Sequence, residues 1–160
     1  MKAFLQVKFT LRQASVEDDP AIRRLVHLGR INPTGLDWRR FVLAISPSGD
    51  VIGCGQIKPH GDGSREIASI VVDPEWRGQG VARAIIERLI NENPGELFLM
   101  CRSTLGPFYE KFGFTGLSMR EMPKYFRRIS RVVGLLHALQ DEGESLLVMR
   151  RGGDAHRLTG

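Results

Sequence analysis

Apolar residues along the chain recur at two spacings, and the alternation between these spacings predicts a mixed α/β fold. Short apolar runs rich in β-branched side chains predict strands, whereas apolar stripes at helical spacing predict amphipathic helices. The predicted strands cover residues 7–12, 41–46, 51–58, 65–72, 97–101, 114–118 and 145–150. The predicted helices cover residues 20–28, 81–92, 104–111 and 124–140.

The stretch from Glu66 to Glu92 organises this fold. Ile67 to Val72 predicts a buried strand that Asp73 and Pro74 end, and a glycine-containing turn then leads into an amphipathic helix. The first amide groups of a helix lack partners within it, and together with the helix dipole they attract anions. The turn from Arg77 to Ala82 therefore predicts an anion site. The strand after this helix is expected to run parallel to the strand before it.

Two well-known phosphate motifs do not fit this turn. It lacks the Gly-Lys-Ser/Thr ending of a nucleotide-triphosphate loop. A dinucleotide fingerprint needs a small residue where Arg83 stands, and an acidic residue farther on, where the chain has Phe98 to Met100. The pattern that remains is Arg/Gln-x-x-Gly-x-Gly/Ala, which Arg77, Gly80 and Ala82 satisfy.

A second motif, with the sequence GPFYEKFGF, runs from Gly106 to Phe114. Together with the glycine turn it resembles the GNAT superfamily of acyl-CoA N-acyltransferases, which carry a F-Y-E-K-x-G-F signature at this distance from the turn. The resemblance covers the chain from Val7 to about Arg150, and it implies one domain over residues 1–150. The implied fold is a mixed, mostly antiparallel twisted sheet with helices on both faces. Its two central parallel strands splay apart in a V.

The resemblance also implies a reaction and a cofactor site. Acetyl-CoA lies in the V-shaped opening as co-substrate, and a primary amine attacks its thioester directly in a ternary complex. The acceptor remains open between a small amine, an amino acid, a peptide N-terminus and a protein lysine. The pantetheine arm pairs with the backbone near Ile70, Val71 and Val72, and the pyrophosphate binds the glycine turn. The turn residues are Arg77, Gly78, Gln79, Gly80, Val81 and Ala82.

Direct transfer needs a base for the amine, a donor for the developing oxyanion and a proton for the leaving thiolate. A lysine-like amine has a pKa of about 10.4, so its neutral form costs about 4.6 kcal/mol at pH 7. The resemblance makes Glu66 the candidate base, Tyr109 the candidate acid, and a backbone N–H near Val71 or Val72 the oxyanion donor. The alternatives are a solvated strand-end Glu66 paired with Arg65, and a Tyr109 that only packs.

Two positions depart from the family pattern. Arg102 and Leu105 stand where many members have an asparagine and a small residue, so the cofactor contact of that asparagine is not carried over. Cys101 is expected to be a core residue rather than a nucleophile, because no histidine stands in a recognisable partner motif. The loop at residues 30–38, which includes Trp38, occupies the acceptor side in the family, with plain packing as the alternative.

Composition narrows the function classes further. At 42% hydrophobic residues, a chain of 160 residues can bury a core, and it has no apolar run long enough to span a membrane. The N-terminus lacks the apolar segment of a secretory signal, so we expect a cytoplasmic protein without a membrane partner. The net charge is +5, but no nucleic-acid motif accompanies it, so no nucleic-acid partner is expected. The four histidines lack metal-ligand spacing, so no metal is expected.

These expectations leave two function classes. The first is an acetyl-CoA-dependent N-acetyltransferase that acts as a monomer or homodimer. The alternative is a non-catalytic acyl-CoA-binding regulator on the same fold. Residues 151–160 are polar and contain glycine, so they are expected to form a disordered tail.

The helix predicted at 124–140 is longer than the family's usual link between the last two strands. Its spacing predicts an apolar face opposite a basic stripe. The apolar face comprises Phe126, Ile129, Val132, Val133, Leu136 and Leu139, and the stripe comprises Lys124, Arg127, Arg128 and Arg131. The stripe is either a solvated face or an acceptor-side surface that favours an acidic acceptor or carrier.

Overall fold

The computed structural model describes residues 8–137 and 144–152. Within these ranges the strands and helices follow the order that the apolar spacings predict, which confirms the mixed α/β class. The strands are β1 (Thr10–Gln13), β2 (Phe41–Ile45), β3 (Val51–Pro59), β4 (Arg65–Val72), β5 (Leu97–Arg102), β6 (Thr115–Gly116) and β7 (Leu146–Arg151). The helices are α1 (Asp19–Leu28), α2 (Val81–Glu92), α3 (Gly106–Glu110) and α4 (Lys124–His137).

The strands form a seven-stranded sheet in the order β1-β2-β3-β4-β5-β7-β6. The pairs β1–β2, β2–β3, β5–β7 and β6–β7 are antiparallel. Strands β4 and β5 are parallel, and Glu66 lies opposite Phe98 in their register. The crossover through α2 thus joins two parallel strands in a mostly antiparallel sheet, as predicted.

The chain divides into two compact units, the first with residues up to 57 and 68–92, the second with 58–67 and the residues from 93 onwards. Successive side chains of a strand point to opposite faces of the sheet. In the first unit, neighbouring residues of β3 contact α1 on one face and α2 on the other. Cys54 belongs to the buried cluster that includes Ile22 of α1. Gly53 and Gly55 face Ile85 of α2 at close range.

The closest approach in this unit occurs at Gly55, and it predicts a stability effect. A Cβ atom there would lie 2.5 Å from Ile70 Cδ1 and 2.8 Å from Ile85 Cγ2. We therefore expect Gly55→Ala to lower the free energy of unfolding by about 1 kcal/mol or more, measured by urea denaturation. The control is Gly61→Ala, since no described atom lies within 4 Å of that Cβ position. Equal stability of both variants would contradict the tight packing of α2 on β3.

The second unit has its own core, which lies between α4 and strands β5 and β7. Its buried members are Phe98, Leu117, Met122, Phe126 and Val148. The strand predicted at 114–118 is shorter than expected, because Ser118 and Glu121 form a capping box that starts a helical turn at Met119–Glu121. The start of the first predicted strand at Val7, the end of the predicted helix at 138–140 and the tail from 153 lie outside the described residues.

Candidate active site

The glycine turn before α2 has the backbone geometry of an anion site. Gly78 and Gly80 have φ angles of +76° and +83°, in the left-handed region that side chains disfavour. No described atom lies within 4 Å of the position where either glycine would carry a Cβ. The carbonyl of Gly80 accepts the first helical hydrogen bond, from the Ala84 N–H at 3.0 Å, so the preceding amides of α2 lack helical acceptors. The turn is therefore exposed, open and lined by amide donors.

The strand that leads into this turn contains an irregular residue that sequence reasoning missed. Ser69 has a φ of +58°, a costly conformation for a residue other than glycine. Its hydroxyl accepts a hydrogen bond from Gln56 Nε2 at 2.8 Å, and its carbonyl accepts one from the Cys54 thiol at 3.4 Å. Gln56 is fully buried, and its Oε1 has no partner among the described residues. The polar Gln56 within an apolar strand was the available signal for this feature.

Ser69 directly precedes the three residues predicted to pair with pantetheine. Val71 is buried, and Ile70 and Val72 are half-buried. After them, the Asp73 N–H donates to the carbonyl of Ile52 at 2.8 Å, which fixes the end of β4. The irregular backbone thus stands at the strand segment whose amides the resemblance assigns to the cofactor and the oxyanion.

Glu66 is buried near the start of β4, with 5% of its surface exposed. Its Oε1 lies 2.8 Å from His60 Nε2, and burial raises the pKa of its carboxyl group, opposed by His60 and by Lys58. The alternative of a solvated glutamate paired with Arg65 is therefore wrong. Arg65 instead donates to the carbonyls of Pro94 and Glu96. His60 directly follows β3, and the sequence analysis gives it no role because the four histidines lack metal-ligand spacing.

Tyr109 lies half-buried on α3, edge-to-face with Phe108 and Phe114. Burial, together with the nearby Cys101, raises the pKa of Tyr109 to about 12, so the phenol holds its proton at neutral pH. Burial also raises the pKa of the Cys101 thiol to about 11. A thiol that stays protonated is a poor nucleophile, which agrees with the core role expected for Cys101.

The two positions that depart from the family pattern are both exposed. Arg102 Nη1 lies 3.7 Å from Glu144 Oε2, and 45% of Leu105 is exposed. Trp38 packs against the buried cluster of the first unit, and the Arg39 guanidinium lies 4.7 Å above its ring. The packing of Trp38 is thus observed, and its role in acceptor binding stays a prediction.

The basic stripe of α4 differs from the prediction at one of its four members. Arg127 is half-buried and donates to the carbonyls of Met119 at 3.2 Å and Met122 at 2.9 Å. The other three cations are exposed, and together with Arg127 and Val132 they line a groove of about 290 Å³. These three are Lys124, Arg128 and Arg131.

The predicted apolar face of α4 is also narrower than expected. Phe126 is fully buried and Val133 is half-buried, whereas 51% of Val132 and 58% of Leu136 are exposed. At about 100° per residue, Val132 and Leu136 point roughly 120° and 80° away from Phe126, toward the basic side. Helical spacing grouped them with the core, but they lie at the edge of the buried face.

In residues 8–137 and 144–152, no group of three or more His, Cys, Asp or Glu side chains is arranged to hold a metal ion. No helix within those ranges combines the length and apolar character that crossing a bilayer requires.

The predicted site residues fall into both units of the chain. The segments Ile70 to Val72 and Arg77 to Ala82 belong to the first unit, and Glu66 and Tyr109 belong to the second. Glu66 is paired with His60 in its unit, and Tyr109 is grouped with Cys101 and aromatic side chains. Their joint action on one substrate stays a prediction.

The chain is similar to known proteins in both sequence and fold. The family model described as acetyltransferase (GNAT) domain matches residues 37–116. The chain is 31% identical over 119 residues to an amino-acid acetyltransferase of Mycobacterium tuberculosis, and the match covers 66% of this chain and 67% of that protein. The family match includes both the glycine turn and the motif that carries Tyr109.

Two solved structures share the fold at low sequence identity. The N-acetylglutamate synthase of Neisseria gonorrhoeae, complexed with coenzyme A and N-acetyl-glutamate, has a TM-score of 0.69 at 20% identity. That match covers 94% of this chain but 35% of the synthase, so the chain spans about a third of its length. A Mycobacterium tuberculosis protein in complex with CoA has a TM-score of 0.68 at 23% identity, covering 90% of this chain and 99% of that chain.

Proposed function

Because this chain belongs to the GNAT family of acetyltransferases, we propose that it transfers the acetyl group of acetyl-CoA to the amine of a free amino acid. The observation that carries the proposal is the open turn of Gly78 and Gly80, both left-handed, at the first amides of α2. An amino acid is the acceptor we infer because the chain is similar to an amino-acid acetyltransferase over two thirds of its length.

In this proposal the turn from Arg77 to Ala82 binds the pyrophosphate of acetyl-CoA. The two glycines allow the phosphate oxygens to approach the backbone, and the amides at the start of α2 donate to those oxygens. Arg77 is exposed beside these amides and adds a positive charge. The backbone of Ile70 to Val72 pairs with the pantetheine arm, and an amide of Val71 or Val72 donates to the oxyanion.

The chemical step is a direct attack of the neutral amine on the thioester carbon. Glu66 accepts the proton that the amine loses, the new C–N bond forms, and the C–S bond breaks as CoA leaves as a thiolate. The hydroxyl of Tyr109 donates a hydrogen bond to that sulfur, and solvent protonates the thiolate after release. Burial raises the pKa of Glu66 above its ordinary value, which makes it a stronger base than an exposed glutamate.

The deciding experiment is acetyl-CoA turnover across a panel of amines, followed as free thiol release. The panel holds the standard amino acids, small alkyl amines, a peptide with a free N-terminus and an N-terminally blocked lysine peptide. We expect the highest kcat/KM for a free amino acid. A higher value for either peptide would overturn the amino-acid acceptor, and measurable acetyl-CoA binding without turnover of any amine would favour the non-catalytic regulator.

The cofactor site has its own test at Gly80. Gly80→Glu would place a side chain and a negative charge where the pyrophosphate binds, so we expect acetyl-CoA affinity to fall at least about tenfold, or about 1.4 kcal/mol. Calorimetric titration with acetyl-CoA measures this directly. The matched control is Gly49→Glu, because Gly49 has a similar φ of +90° and equally open surroundings in the described chain. Equal affinity losses in both variants would show that backbone strain, and not the phosphate site, causes the effect.

A further inference from the structure

The His60 ring, which directly follows β3 and contacts Glu66, is held by aromatic side chains on two sides. Its centroid lies 3.5 Å from that of Tyr125, with the rings 15° from parallel, and the edge contact to Phe126 has a centroid distance of 5.6 Å. The side chains of His60 and Glu66 are 10% and 7% exposed. The stacked and edge contacts fix the plane of the imidazole, and thereby the direction of its Nε2 toward Glu66 Oε1.

A carboxylate in the loop after β3 holds the helix that supplies these aromatic rings. Asp62 Oδ2 accepts from the Tyr125 N–H at 3.0 Å, and Asp62 Oδ1 accepts from the Ser64 N–H at 2.9 Å. Tyr125 is the second residue of α4, where backbone N–H groups lack helical partners, so Asp62 caps this helix from a distance in sequence. The cap ties the loop that carries His60 to the ring that stacks on it.

The charged groups around the pair come from three elements. Lys58 on β3 has a charge that favours the carboxylate of Glu66, the Asp62 carboxylate in the following loop interacts with the charge of His60, and Tyr125 on α4 is near the charge of Glu66. Burial disfavours the carboxylate form of Glu66, and the hydrogen bond to His60 is the largest interaction that opposes this penalty. His60 thus determines both the orientation of the carboxyl group and the ease with which it ionises.

We propose that His60 is a positioning residue: its Nε2–H holds Glu66 Oε1, so that Oε2 is the oxygen that takes the proton of the acceptor amine. The inference rests on the proposed function, in which Glu66 is the base. The amine nitrogen loses the proton and Oε2 gains it, while His60 keeps its own proton throughout. The hydrogen bond from His60 favours the ionised form that a base must have, against the burial that disfavours it.

Two substitutions separate the hydrogen bond from the packing. His60→Phe keeps an aromatic ring to stack on Tyr125 but lacks the donor, whereas His60→Gln retains an amide donor near the position of Nε2. In His60→Phe the carboxylate of Glu66 loses the hydrogen bond that favours its ionised form, so the pKa of Glu66 rises. The fall of kcat/KM toward acidic pH, which follows that pKa, then begins at higher pH. At neutral pH we expect kcat/KM for the acceptor to fall about tenfold, with acetyl-CoA affinity unchanged. His60→Gln should retain most of the wild-type profile.

A readout that needs no acceptor makes the proposal independent of turnover. The side-chain carboxyl 13C resonance of Glu66, assigned by its disappearance in Glu66→Gln, can be titrated in each variant. We expect the midpoint to be higher in His60→Phe than in the wild type and His60→Gln. An unchanged titration midpoint of Glu66 in folded His60→Phe would overturn the proposal. A shifted midpoint without a matching shift in the pH dependence of kcat/KM would overturn it as well. Wild-type activity of Glu66→Gln would instead refute the proposed base, whatever the His60 variants show.

Discussion

Replacing Glu66 with glutamine should lower kcat about 10²- to 10⁴-fold and leave acetyl-CoA affinity unchanged. An amine acceptor is mostly protonated at neutral pH, so attack requires a group that removes its proton. Glutamine has nearly the same shape, and its amide oxygen can still accept from His60 Nε2, so the variant should fold. Single-turnover rates with saturating acetyl-CoA and acceptor measure the effect on chemistry. The control is Glu96→Gln, because Glu96 is exposed.

The pH dependence gives the same prediction a second check. The base acts as a carboxylate, so kcat/KM should fall as the pH falls through the pKa of Glu66. Burial raises this pKa, so the limb should lie above the ordinary glutamate value of about 4.3. The limb at the Glu66 pKa should vanish in Glu66→Gln, which leaves only the titration of the acceptor amine at higher pH. A rate within twofold of wild type, with the limb still present, would assign the proton transfer to another group.

The glycine turn was predictable because its information is local. Gly78 and Gly80 follow a β-branched run and precede a helical stripe, so a few consecutive residues predict both the turn and the donors at the helix start. The structure adds that both glycines are left-handed, which explains why glycine is required there. The family motif around Tyr109 is equally local, and α3 begins within it at Gly106.

The surroundings of Glu66 were not predictable because they depend on contacts between distant residues. His60 reaches Glu66 only because the loop after β3 is fixed by α4, whose Tyr125 and Phe126 lie more than 60 residues farther along the chain. Helical spacing on α4 likewise grouped Arg127 with the exposed basic stripe, whereas Arg127 is half-buried and donates to the carbonyls of Met119 and Met122. Periodicity predicts the face of an element, and tertiary packing decides what that face meets.

The left-handed Ser69 shows a second limit. Strand propensity is a property of several residues together, and it predicts β4 correctly. It does not predict that a single residue within the strand adopts a different backbone conformation. The side chain that supports this conformation, Gln56, comes from the neighbouring strand. A buried glutamine in an apolar run was a visible signal, yet its partner could be identified only from the register of the two strands.

Replacing Tyr109 with phenylalanine should lower the rate of acetyl transfer about tenfold to a hundredfold and change acetyl-CoA affinity little. The hydroxyl is proposed to act on the sulfur, where charge develops only as the C–S bond breaks. A hydrogen bond to a charged group contributes about 1.5 to 3 kcal/mol, and this contribution arises in the transition state. Phenylalanine keeps the edge-to-face contacts with Phe108 and Phe114, so the variant should retain its thermal midpoint.

The raised pKa of Tyr109 decides whether its hydroxyl transfers a proton to the sulfur or donates a hydrogen bond to it. An ordinary thiol has a pKa of about 8.5, so a phenol with a pKa of about 12 is the weaker acid, and complete transfer to a free thiolate is unfavourable. We therefore expect a donated hydrogen bond, with solvent protonating the thiolate after release. Since the protonated phenol persists below its pKa, Tyr109 should add no basic limb to kcat until the pH approaches 12. Pre-steady-state rates measured from pH 6 to 10 test this expectation. A pH-dependent change of rate within that interval that disappears in Tyr109→Phe would show that Tyr109 ionises there. A Tyr109→Phe rate within twofold of wild type would leave the ring with packing alone.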